Sequence, residues 1–171
     1  MKRFALVLAS VLSAGLAAPA VGAAPVTVRL NGIGPLKLGM TRAAAVSTGW
    51  LAHQGTGCEL GGKPFPITYT LSGAKAPNGV SGTAQFVHGR LQVLSFSKGA
   101  RTRAGVAVGQ TTTGRMVSAY RQAGFSASAR FDPVFGGTFV TVKRHGRDVI
   151  MGFAQHGVVI SLGIPFIPVC D

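Results

Sequence analysis

Four histidines, four carboxylates and two cysteines are what the chain offers for metal ligation and for carboxylate, imidazole or thiol chemistry. Three of the histidines, His88, His145 and His156, each precede a glycine between stretches that read as strands. A two-residue hairpin needs positive φ at its central positions, which glycine adopts freely and histidine tolerates better than most residues, so these three read as turns rather than ligands. Zinc requires three or four nitrogen, sulfur or oxygen ligands that converge, and the sequence suggests no such set. His53 lies in an irregular segment without an evident role. Glycoside and aspartic chemistry need paired carboxylates, whereas Glu59, Asp132 and Asp148, the acids away from the C-terminus, stand at unrelated spacings. No G-x-S-x-G elbow is present, and the glycine pairs Gly61-Gly62 and Gly136-Gly137 lack the strand-to-helix phosphate pattern with its lysine. The expectation is therefore no catalytic, cofactor or metal site. An enzyme hidden in this chain would be a hydrolase assembled from distant residues, with Glu59, Asp148 and His53 its only nominees.

The cysteines acquire meaning from the N-terminus. Met1-Lys2-Arg3 is followed by an apolar run from Phe4 to about Ala18 and by the small residues Ala20-Val21-Gly22-Ala23-Ala24. That order is a secretory signal peptide over residues 1–23, cleaved after Ala23; the run is short for a membrane span of about 20 apolar residues. No cysteine follows it directly, so a lipid-modified N-terminus is not indicated. Residues 24–171 then form a single secreted domain, and in an oxidising compartment Cys58 and Cys170 are expected to form one disulfide. A loop of that length gives about 4 to 5 kcal/mol in the chain-entropy model. The two lack the C-x-x-C spacing that tunes a reactive thiol pair.

Without the leader, fifteen basic residues face four acids, a net charge of +11, and ten of the fifteen are arginines. Such a surface attracts anionic wall polymers, lipid headgroups and nucleic acid, with a strength that salt screens. The cations are scattered, however. Only Lys98, Arg101 and Arg103, and Lys143, Arg144 and Arg147, group locally, and neither group is interleaved with aromatics as a single-strand binder would be. A solvated surface is the favoured reading, with weak polyanion or cell-wall association the alternative.

The elements that would position these residues follow a repeated plan. Gly34-Pro35-Leu36-Lys37-Leu38-Gly39-Met40-Thr41 returns in degenerate form as Ala104-Gly105-Val106-Ala107-Val108-Gly109-Gln110-Thr111. In each copy apolar residues sit two apart, a glycine follows and a threonine stands where an N-cap would start a helix. The first helix is read over 42–48, with Ala43, Val46 and Trp50 near one face. The second, capped by Thr111 or Thr112, spans 113–123, with Met116, Val117, Tyr120 and Ala123 as its apolar stripe and core by default. Alternation places strands at 67–71, 83–88 and 91–97, then at 137–143, 148–154 and 157–163. Residues 25–33 form a lead-in with an edge strand, 51–65 are irregular, 99–103 link the halves, and 131–135 form a loop with strand at its start. Gly39 to His88 and Gly109 to His156 span nearly equal lengths. The fold class expected is α+β: two helix-plus-antiparallel-meander halves, about 34–98 and 104–165, forming one domain with the helices packed on an antiparallel sheet and a C-terminal tail at 166–171.

The motif Gly34-x-Leu36-x-Leu38-Gly39-Met40-Thr41, its echo ending Val108-Gly109-Gln110-Thr111, the turn and strand Val87-His88-Gly89-Arg90-Leu91 and the late cysteine resemble a group of uncharacterised bacterial secreted proteins. More distantly, the helix-then-strands repeat is similar to the β-lactamase-inhibitor-protein fold and to small outer-membrane assembly lipoproteins of the BamE type. That resemblance implies a non-enzymatic protein that presents a concave sheet or loops to a partner protein. The chain departs from the pattern at Ala44 and Gly114, where the acid of a capping box is missing, and at His88 and His145, which replace acidic turn residues. It has no segment matching the inhibitors' acidic and aromatic contact loops, so β-lactamase inhibition carries over to no residue here. The functional expectation is a secreted, monomeric protein- or peptide-binding module.

Overall fold

The computed structural model describes residues 26–57 and 65–169. Three short strands open it, β1 (Val26–Arg29), β2 (Gly32–Ile33) and β3 (Leu36–Lys37), followed by helix α1 (Arg42–Ser47) and strands β4 (Ala52–Thr56), β5 (Ile67–Thr70), β6 (Ser81–Val87) and β7 (Arg90–Lys98). Strand β8 (Ala100–Thr102) leads into helix α2 (Thr113–Gln122), and β9 (Ser126–Asp132), β10 (Gly137–Arg144), β11 (Arg147–Gln155) and β12 (Val158–Ile164) complete the chain.

The strands form two sheets. The larger has the order β4-β5-β6-β7-β12-β11-β10-β9, two four-stranded meanders joined through their last strands. That junction is antiparallel, with Phe96 opposite Leu162, Ser95 opposite Gly163 and Leu94 opposite Ile164, so strand order reads the same from either edge. The smaller sheet, β3-β2-β1-β8, crosses the halves, because β1 lies parallel to β8 with Val26 opposite Ala100 and Val28 opposite Thr102.

The two meanders share local irregularities as well as order. In the β6–β7 hairpin the register shifts so that Phe86 faces Leu91 and Gln85 faces Val93, leaving Gln92 as the extra residue. In the β11–β12 hairpin Ala154 faces Val159 and Phe153 faces Ser161, leaving Ile160 extra. Both bulges follow a His-Gly turn, and both move the next strand residue, Leu91 or Val159, into the core, where each is fully buried.

One hydrophobic core lies between the sheets. Phe86, Leu94, Phe96, Val140, Ile150 and Leu162 come from the larger sheet, and Val28, Ile33, Leu36 and Ala100 from the smaller. The helices fill the remainder. Met116 is fully buried and seated on Gly152, where an added Cβ would stand 2.6 Å from the Met116 sulfur. Both helices begin as their threonines indicate: Thr41 Oγ1 accepts from the Ala44 amide at 3.3 Å and Thr112 Oγ1 from the Arg115 amide at 3.4 Å.

This architecture corrects the expected fold class. The described residues are mostly β, with sheets of four and eight strands and only two helices among them, rather than an α+β domain of helices packed on one sheet. Helix α1 has six residues and buries only Ala45, with Val46 exposed, so it cannot cover a sheet face. The small sheet supplies that cover, built from the 25–33 lead-in and the 99–103 link. Strands β4 and β9 lie in segments read as irregular or left unassigned. Cys58, Glu59, Cys170 and the leader lie outside the described residues.

Candidate functional site

Side chains alternate across a strand, so the core residues define the second face of the larger sheet by exclusion. Thr70, Thr83, Ser95, Gly163, Met151 and Thr141 stand opposite one another in a single row from β5 to β10. The next row on the second half holds Ser161, Phe153, Phe139 and Arg130. Both helices and the small sheet contribute to the core on the other side, so among the described residues no second layer of strands or helices covers this face. The C-terminal segment crosses it at its centre: the Phe166 carbonyl and the Ile167 amide occupy the place where a Cβ at Gly163 would be.

Small hydroxylated residues dominate the first half of this face, with Thr83 and Ser95 hydrogen-bonded to each other at 2.7 Å. Gln85 and Val93 are buried beside them, and Gln85 Oε1 has no hydrogen-bond partner. The second half carries an aromatic cluster. The Phe139 and Phe153 ring centroids are 4.8 Å apart, and Phe135 meets Phe139 edge-on at 5.8 Å. Seven interstrand spacings of about 4.8 Å and strands of roughly seven residues at about 3.3 Å each give the face an area of roughly 750 Å².

A cleft of about 410 Å³ opens on the other side of the molecule, where the ends of β1 and β8 meet α2 and β11. Leu30, Ala123, Phe125 and Ile150 provide apolar walls, and the Tyr120 ring lines it beside them. Arg29 and Arg103 line it too, both exposed, each one residue beyond the paired Val28 and Thr102 on adjacent strands. Burial pushes the Tyr120 phenol from 10.0 up to about 12, and the nearby Thr102 hydroxyl pulls it back in part. Yet Tyr120 Oη is buried without a hydrogen bond of acceptable geometry, and Thr102 Oγ1 accepts from the Val106 amide at 3.3 Å.

The residues nominated from sequence do not gather at either place. His88, His145 and His156 occupy turns at φ 49°, 49° and 48°, and the glycine after each is also at positive φ. His53, at φ 45°, marks a bulge in β4 between Ala52 and Gln54. Asp148 on β11 is in an exposed ion pair with Lys143 at 3.5 Å, five strand positions from His53. Asp132 Oδ1 accepts from the Val134 amide at 2.9 Å and closes the β9–β10 turn. Among the described residues no three His, Cys, Asp or Glu side chains converge as metal ligands would, and no helix is long and apolar enough to cross a membrane.

Sequence reasoning missed the cleft and the aromatic cluster. Tyr120 was legible as part of the α2 stripe, but its unpaired hydroxyl depends on β8, a segment with too little alternation to read as strand. Comparison with protein-family models, with curated proteins and with solved structures returns no match for the chain.

Proposed function

We propose that the protein is a secreted, non-enzymatic binding module that holds an acidic partner protein against the uncovered face of its larger sheet. One observation carries this reading: among the described residues no second layer of strands or helices covers this face, which spans roughly 750 Å² with the C-terminal segment across its centre, on the scale of one side of a standard interface. Phenylalanine, methionine and arginine are enriched at the centres of such interfaces, and Phe139, Phe153, Met151 and Arg130 lie together here. Charge selects the partner. The whole chain carries +13, and its only described acids are Asp132 and Asp148, so an acidic surface is drawn in and a basic one repelled. The leader-like N-terminus supports export, and the scattered nominees Asp148 and His53 support a role without catalysis.

The test is affinity capture from culture supernatant and wall extract with the wild-type domain and with a Ser128→Glu/Arg130→Glu variant. Both positions are exposed on this face, so the variant should melt within a few degrees of wild type. A saturable protein partner retained by the wild type and lost by the variant supports the proposal. Retention of the same partner by both, or retention only of anionic polymers that elute together at modest salt, overturns it in favour of a bulk charge effect.

A further inference from the structure

Two features of the cleft between β1, β8 and α2 work against the stability of the folded chain, and they converge on one place. The first is Tyr120. A hydroxyl buried without a hydrogen bond is destabilising relative to a paired one, and phenylalanine would fill the same space without that penalty. The second is the arginine pair. Like charges on neighbouring strands repel, and among the described residues no carboxylate pairs with Arg29 or Arg103, the one ion pair there being Lys143–Asp148. The two guanidinium groups, unlike the buried phenol, are exposed, are donors only, and suit an anionic acceptor. Between them lie apolar walls and a volume of about 410 Å³, within the range of sites that enclose a small molecule.

We propose that this cleft binds a small carboxylic acid with an apolar body, its carboxylate between Arg29 and Arg103 and its body against Leu30, Phe125 and the edge of the Tyr120 ring. The volume suits one short chain or a fused ring pair and is too small for a two-chain lipid. Burial of the body supplies affinity, and the guanidinium pair supplies selectivity by head group. The site is on the opposite side of the core from the uncovered sheet face, so it stands or falls independently of the partner proposed there.

The experiment is titration calorimetry of the full mature chain with decanoate, decanol and decyltrimethylammonium, which share a tail and differ in head charge, and with 2-naphthoate, which replaces the chain by rings. One-to-one saturable binding is expected for decanoate, for 2-naphthoate or for both, and which of them binds tells chain from ring. Decanol should bind at least tenfold more weakly and the cation not at all. Arg29→Gln/Arg103→Gln should weaken the acid about tenfold and leave decanol unchanged. Ala123→Trp, at an exposed position lining the cleft, should abolish binding of both while the protein still melts cooperatively. Tyr120→Phe, which alters only a hydroxyl buried beneath the cleft, should leave acid binding within about twofold of wild type and so separates the arginine pair from the phenol as the source of selectivity. Equal binding of all three decyl compounds, or acid binding untouched by both the double arginine variant and Ala123→Trp, overturns the proposal.

Discussion

The amide of Gly39 donates to the carbonyl of Leu91 at 2.7 Å, and the Leu91 amide returns a bond to the Met40 carbonyl at 2.8 Å. The second half repeats this with one residue more, from Gly109 to the Val159 carbonyl at 2.8 Å and from Val159 to the Thr111 carbonyl at 2.9 Å. The stretch before each helix is thereby stitched to the last strand of its own meander, just after the His-Gly turn. The bonds from the Arg42 amide to Gly89 at 2.8 Å and from Thr113 to Gly157 at 3.0 Å extend the stitch into the first helical residue. Each helix therefore starts at a place set by a hairpin, which is how α2 comes to lay Tyr120 along β8.

Gly39 and Gly109 lie at φ 84° and 75°, and a Cβ at either would meet nothing within 4 Å. Alanine there is resisted by backbone conformation alone, about 1–2 kcal/mol for a residue held left-handed. Gly39→Ala and Gly109→Ala should each lower the unfolding free energy by that amount, read as a lower urea midpoint with an unchanged m-value, and the double variant should show the sum, since the two sites share no partner. A loss well above the sum would mean that the stitches are coupled.

Met116 is fully buried against Gly152, where no room is left for a Cβ. Met116→Ala opens a cavity and should cost about 2–5 kcal/mol, whereas Gly152→Ala forces the flexible methionine tip aside at about 1–3 kcal/mol. In the pair Gly152→Ala/Met116→Ala the new methyl group enters space that the shortened side chain has vacated. The double variant should therefore be more stable than the sum of the single losses, as read by chemical denaturation.

These relationships show which parts of the fold the sequence carried. Alternation in 91–97 marked β7, the apolar run in 157–163 marked β12, and Thr41 and the pair Thr111 and Thr112 marked where the helices start, because those signals are local. β9 reads Ser-Ala-Ser-Ala-Arg-Phe-Asp, and it buries only Ala127, too small to register as an apolar face. β4, with Ala52-His53-Gln54-Gly55-Thr56, buries none of its residues fully. β8 is three residues long and gains its identity only from β1, which lies more than seventy positions earlier and parallel to it. The cleft depends on that non-local pairing. Its arginines, scattered in sequence, become neighbours only when β1 and β8 align.

The histidine turns offer a check on the decision against metal ligation. With φ near 49° at His88 and His145 and 48° at His156, followed each time by a glycine at positive φ, these positions have the geometry of two-residue turns that favour asparagine. Exchanging all three for asparagine should leave stability unchanged or raise it by a few tenths of a kcal/mol per site, and His88→Val should cost about 1–2 kcal/mol, since a β-branched residue is an outlier at positive φ. Chelator should not move the melting temperature of the wild type. A chelator-dependent fall, abolished in the asparagine variant, would reinstate a metal.

Alkaline pH gives a direct reading of the Tyr120 environment. Its phenol titrates at about 12 in the folded protein against 10.0 ordinarily, because burial disfavours the phenolate. Between those values the folded state holds the proton more tightly than the unfolded state, so stability falls as pH rises; the contribution is complete below about pH 10 and is lost towards pH 12. A two-unit displacement corresponds to about 2.7 kcal/mol. Tyr120→Phe removes both the unpaired hydroxyl and the titration, so at neutral pH it should be neutral or stabilising by up to about 1 kcal/mol. Above pH 10 its urea midpoint should decline less steeply than that of the wild type. Parallel curves for the two proteins would show that the hydroxyl is solvated rather than buried, and would remove the unpaired donor from the floor of the cleft.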